Sequence, residues 1–132
     1  MNIQIKWTGK QNFEGIAADG QTVSISPNKD QEGTITPPDL LLMSLGSCTG
    51  LFLLPAAKAM NVSMEDFEIT VKGVKAETPP KLFDKIKIHV AFKGNMSEDQ
   101  AEEILKRSHE KCFVLTSLNP NIEIESTIEV KQ

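Results

Sequence analysis

Long basic runs are missing from this chain: no stretch holds more than two consecutive lysines or arginines, and the one arginine is Arg107. With a formal net charge of −4 as well, the electrostatic footprint of a nucleic-acid binder is absent. No CxxC and no Cys/His cluster occurs, which argues against a zinc site. His89 and His109, the two histidines, do not make a metal set on their own. The amino terminus, MNIQIKWTGK, lacks the apolar stretch of a signal peptide, so a cytoplasmic location is expected. The longest apolar region, residues 40–57, is interrupted by Ser44, Gly46, Ser47, Thr49, Gly50 and Pro55. It reads as too short and too broken to span a membrane. Cysteine is scarce too: only Cys48 and Cys112, 64 positions apart. In a reducing compartment they would rest as thiols, which excludes a permanent structural disulfide. Repeats and low-complexity tracts are also absent.

What is present fits one ordinary folded domain, residues 1–132. Hydrophobic residues make up 39% and charged residues 24%, enough apolar matter for a packed core and too much for disorder. Ile3, Ile5 and Trp7 alternate with Gln4 and Lys6, which predicts a strand over 2–7. Further strands are expected over 12–18 and 21–26. Asp19-Gly20 lies between them as a two-residue hairpin signal, with both turn positions needing positive φ. Residues 27–36 read as a loop. Thr36-Pro37-Pro38-Asp39 then offers an N-cap, first-turn prolines and a carboxylate at N3, opening a helix over about 40–60. That helix is apolar nearly all round, so it is buried on most sides, and Pro55 should kink it. Its small residues, Ser44, Gly46, Ser47 and Gly50, admit another backbone or helix closely.

Strands over 66–76 and 83–93 follow, the second with Ile86, Ile88, Val90 and Phe92 on one side. Ser97 and Gln100 form a capping box. The helix it opens reaches Lys111, with Ala101, Ile104, Leu105 and Ser108 inward. Residues 112–118 form a short turn of helical character, and a last strand covers 122–130. The order βββαββαβ does not alternate regularly and predicts an α+β fold rather than a doubly wound sheet. A 20-residue apolar helix is hard to bury in 132 residues, so mutual burial in a homodimer is expected.

Two readings of the cysteines stand side by side. Free cysteine is among the most buried residue types, so both fit as small core hydrophobes. A reactive thiol instead needs positive charge or hydrogen-bond donors to lower its pKa. Cys48 is about three turns into its helix, so the helix dipole helps it little.

The stretch Thr36-Pro-Pro-Asp-Leu-Leu-Leu-Met-Ser-Leu-Gly-Ser-Cys48-Thr-Gly50 resembles the first-cysteine motif of the OsmC/Ohr family, closest to its OsmC-like branch. His109-Glu-Lys-Cys112 is similar to the family's second-cysteine motif, and the cysteine spacing and element order agree. The resemblance covers nearly the whole chain. It implies an intertwined homodimer with a long buried central helix and active sites at the subunit interface. It also implies a thiol peroxidase, a peroxiredoxin-like oxidoreductase of the oxidative stress response. Cys48 would attack a hydroperoxide and become a sulfenate, Cys112 would condense with it to a disulfide, and an external dithiol reductant would reopen that bond. A nearby thiol protects a sulfenate from over-oxidation. No cofactor or metal is implied. Family members hold the first cysteine with an arginine, oriented by a glutamate ten residues before it. Here Pro38 occupies that position and Asp39 the next, which makes Asp39, Arg107 and His109 the candidate supporting residues. Lys29 is a substitute cation, though a lysine cannot make the bidentate contact of an arginine. Ser44, one turn before Cys48, is a candidate hydrogen-bond donor to it. A second reading is a catalytically weak relative that binds an apolar ligand or senses redox state.

Overall fold

Short runs of alternating apolar residues, separated by turn residues, pair at the start of the chain as that pattern dictates. The computed structural model describes every residue except Lys29 and Lys81. Two compact units are formed, Met1–Leu41 and Leu42–Gln132. In the first, β1 (Gln4–Gly9), β2 (Asn12–Ile16) and β3 (Thr22–Ile25) make an antiparallel sheet in that order. Trp7 lies opposite Phe13, and its indole N–H closes the β1–β2 turn by donating to the Lys10 carbonyl at 2.8 Å. The Asp19-Gly20 connection differs from the expected two-residue hairpin. Ile16 pairs with Thr22, so residues 17–21 all lie between the strands. Only Gly20 takes a positive φ there, 93°. The Asp19 carboxylate accepts the Gln21 N–H at 3.0 Å, and this side-chain turn removes the need for a left-handed conformation at Asp19.

The long helix α1 (Pro37–Ala59) begins where its capping residues place it. Asp39 N–H donates to Thr36 Oγ1 at 3.2 Å, and Leu40 N–H to the Thr36 carbonyl at 3.0 Å. The prolines fill the first turn, whose N–H groups need no intrahelical partner. The helix continues through Pro55. Its 23 residues make it long and apolar enough to cross a membrane by length and composition alone. That corrects the shorter, broken stretch read from the sequence, since neither the first-turn prolines nor Pro55 end the helix. Here Leu45, Leu53, Ala56 and Ala57 of α1 sit in a protein core.

The second unit builds that core on a mixed sheet. β4 (Ser63–Lys75) and β5 (Phe83–Asn95) are antiparallel, and β6 (Glu123–Lys131) joins β5 in parallel. A parallel neighbour requires a crossover, and α2 (Glu98–Lys111) with α3 (Phe113–Ser117) supplies it. The capping box at Ser97 and Gln100 is formed in both directions. Ala101, Ile104, Leu105 and Ser108 are the buried face of α2, as the 3.6-residue period requires. Along β5, Ile86, Ile88, Val90 and Phe92 are buried. The opposite face carries charge: Lys85 lies 3.6 Å from Glu123 and 3.3 Å from Glu125, and His89 contacts Thr127 and Glu129.

What lies against Gly46 and Gly50 of α1 is strand side chains. A Cβ on Gly46 would stand 3.0 Å from Val71 Cγ2, and one on Gly50 3.2 Å from Phe67 Cε2. The glycines let α1 settle onto β4, which fixes the depth at which Cys48 is held. The fold is α+β.

Candidate functional site

Cys48 occupies the middle of α1, between Gly46 and Gly50, and is half-buried. Cys112 is fully buried at the joint between α2 and α3. It ends α2 with its N–H on the Ser108 carbonyl at 2.9 Å, and it caps α3, its sulfur accepting the Leu115 N–H at 3.4 Å. The last turn of α2 is fastened to α1 at this level. Ser108 Oγ donates to the Thr49 carbonyl at 2.8 Å, with both residues fully buried. Replacing Ser108 by alanine is expected to cost about 1–2 kcal/mol, read as a lower urea midpoint, because a buried hydrogen bond is lost.

The fold thus brings together two free cysteines 64 residues apart in sequence, near enough for each to shift the ionisation of the other. Their environments push them in opposite directions. Burial raises the Cys48 thiol, but the Cys112 thiol and the backbone N–H groups of Val114 and Phe113 outweigh it, leaving Cys48 below the ordinary cysteine value. Burial first, and then the neighbouring Cys48, push Cys112 above that value, against smaller opposing help from the Leu115 N–H and the Thr49 hydroxyl. Of the two, Cys48 is therefore the more readily ionised and the better placed to act as nucleophile. The donors that lower Cys48 are a thiol and two backbone groups, with no cationic side chain among them in the described residues. The sequence reading missed them because backbone N–H groups leave no signature in residue type.

Asp39 is in the first turn of α1, nine residues before Cys48. Arg107 extends along the exposed face of α2 and pairs with Glu103 at 3.4 Å. Ser44 lies on an exposed part of α1. Lys29 lies outside the described residues. His109 sits one turn before Cys112 and contacts Ser126 Oγ on β6 through Nε2 at 2.8 Å, while its Nδ1 is buried without a hydrogen-bond partner. Among the described residues no group of acidic, histidine or cysteine side chains is arranged to hold a metal ion.

Burial lowers the His109 pKa from its usual 6.5. Between that value and the lower folded one, the unfolded chain binds the extra proton. Its contribution to stability is complete above about 6.5 and is lost as pH falls toward the folded value. The urea midpoint is expected to decline between about pH 7 and pH 5, and less steeply in His109→Asn. Equal slopes in the two proteins would refute this assignment.

No curated protein matches the sequence. The fold is shared with solved structures from several bacteria. A hypothetical protein from Aquifex aeolicus is 27% identical with a TM-score of 0.85, covering 98% of this chain and 95% of that one. An OsmC-like protein from Mycoplasma pneumoniae is 15% identical with a TM-score of 0.90, covering 99% and 96%. An organic hydroperoxide resistance protein OsmC from Legionella pneumophila is 20% identical with a TM-score of 0.80, covering 98% of each chain. The family model described as OsmC-like protein matches residues 28–127, a span that contains α1, both cysteines, β4, β5 and the first half of β6, and the chain belongs to that family.

Proposed function

We propose that this chain is a thiol-dependent peroxidase that reduces organic hydroperoxides or hydrogen peroxide through Cys48 and Cys112. The observation that carries the reading is the pairing of two free thiols in one site, with Cys48 shifted toward the thiolate and Cys112 away from it. Such a pair suits a two-step reduction. The Cys48 thiolate attacks the distal peroxide oxygen, an S–O bond forms, the O–O bond breaks, and the alcohol (or water, from hydrogen peroxide) leaves with a proton. The Cys112 thiolate then attacks the Cys48 sulfenic acid. An S–S bond forms, the S–O bond breaks, and hydroxide leaves as water. Two thiols are oxidised to a disulfide as one peroxide is reduced, and an external dithiol reductant restores them. The name carried by the similar Legionella protein, organic hydroperoxide resistance, favours the same chemistry.

In this reading Asp39, Arg107 and His109 are supporting residues at most, no cofactor, metal, nucleic acid or membrane takes part, and the cycle runs in the reducing cytoplasm. The protein works as a homodimer, its second copy covering the exposed apolar side chains Met43, Leu51 and Leu54 of α1.

The test is a stoichiometric one. Reduced protein mixed anaerobically with cumene hydroperoxide is expected to yield a Cys48–Cys112 disulfide by peptide mapping, with one alcohol formed per disulfide. Unconsumed peroxide with both thiols still free sinks the reading. A second reading, a slow relative that binds an apolar ligand or senses redox state, is favoured by one observation. Among the described residues no cation contributes to lowering Cys48, and Arg107 pairs with Glu103. Fast turnover with several peroxides would exclude it.

A further inference from the structure

Thr49 follows Cys48 and is itself completely buried. Its carbonyl accepts from Ser108, yet its hydroxyl Oγ1 is buried with no hydrogen-bond partner. That is unusual on two counts. A helical threonine ordinarily returns its hydroxyl to the carbonyl three or four residues back. A buried polar atom without a partner carries a desolvation penalty that a protein rarely leaves in place without reason. The surroundings supply one. Ser108 and Cys112 are one turn apart on the same face of α2, and all three side chains are fully buried. With Ser108 clamped to the Thr49 backbone, the hydroxyl is held beside the Cys112 sulfur, close enough to favour its thiolate.

We infer that Thr49 is a positioning residue for the second half-reaction: its hydroxyl donates a hydrogen bond to the Cys112 sulfur as that sulfur becomes a thiolate. This rests on the peroxidase reading above. In the resting protein Cys112 is a thiol with its own proton to give, and the Thr49 hydroxyl has no strong acceptor. Once Cys48 is a sulfenic acid, Cys112 must lose its proton in an apolar site before it can attack. A donor unpaired in the ground state and paired only as charge develops lowers the barrier without first stabilising the reactant. The same hydrogen bond assists the reverse event, when the reductant opens the disulfide and Cys112 leaves as a thiolate. The proton released by Cys112 goes to the departing hydroxide, so the overall balance of the condensation is unchanged.

Thr49→Val removes the hydroxyl at constant shape, and Thr49→Ser returns it. In stopped-flow experiments on the reduced protein with cumene hydroperoxide, Thr49→Val is expected to slow disulfide formation about tenfold more than it slows sulfenate formation. Dimedone-trapped sulfenate should accumulate, and Thr49→Ser should restore the wild-type ratio. A merely structural role would slow both steps together or lower the melting temperature. Replacing a partnerless hydroxyl by a methyl group should instead leave the melting temperature level or raised. A second measurement needs no peroxidase activity. In a Cys48→Ser background, the pH profile of Cys112 alkylation by iodoacetamide should move up by about one pH unit in Thr49→Val, a tenfold loss of thiolate at a given pH. An unmoved profile overturns the role of Thr49. A profile that moves, in a protein inert toward peroxide, overturns the peroxidase reading and leaves the Thr49–Cys112 interaction standing.

Discussion

Cys48→Ser is expected to lower kcat/KM for peroxides by at least about a thousandfold. The argument is one of nucleophilicity and charge. A serine hydroxyl stays protonated where the Cys48 thiol ionises, and an alcohol oxygen does not displace at a peroxide O–O bond. The donors that lower the Cys48 pKa, the Cys112 thiol and the N–H groups of Val114 and Phe113, would then face a neutral hydroxyl and stabilise nothing that reacts. The substitution is nearly isosteric at a half-buried position, so the fold should persist, and an unchanged circular dichroism spectrum separates loss of chemistry from loss of structure. Steady-state assays with coupled reductant consumption provide the measurement. Turnover surviving within tenfold of wild type would mean that Cys48 is not the sulfur that meets the peroxide.

The largest stability effect is expected at Phe92. It is the largest fully buried side chain, lying opposite Phe67 on β4 and beside Val130 on β6. Truncation to alanine removes its apolar burial and leaves a cavity that the surrounding sheet and helices cannot close, at a cost of about 3–5 kcal/mol. Against the roughly 5–15 kcal/mol that holds a small domain folded, that is about a fifth of the total or more. Urea titration of Phe92→Ala beside Lys87→Ala separates core from surface on one strand. Lys87 lies on the opposite, exposed face, and its change should stay within about 0.5 kcal/mol. Equal effects at the two positions would contradict the assignment of the faces.

Much of this architecture is written in periodicity. The alternation along β5 and the four inward positions of α2 match the buried residues, because each element has one face on a single core. The Ser97–Gln100 capping box and the Thr36 cap were equally readable, since both depend on residues within three positions of each other. The Asp19-Gly20 turn was not, because the Asp19 side chain closed it in a way the dipeptide pattern does not encode. The extent of α1 was close to the expected 40–60, but the small and hydroxylated residues read as interruptions of its apolar stretch are accommodated within one helix packed on β4. At the site, the motifs singled out both cysteines, but a motif carries no distances. That Cys112 lies near enough to Cys48 to shift its ionisation, and that Phe113 and Val114 of α3 offer it backbone donors, both depend on the packing of elements distant in sequence.

The separation of the two sulfurs has a consequence for the life of the molecule. Cys48 and Cys112 belong to helices divided by the whole β4–β5 pair and most of α2. Their meeting is a non-local contact, and such contacts are made only after the intervening chain has been ordered. A chain still emerging from synthesis, or one opened by heat, carries two independent thiols with the modest reactivity of any free cysteine. Completion of the fold arms them together, so the pair's reactivity is also a gauge of how many molecules are intact.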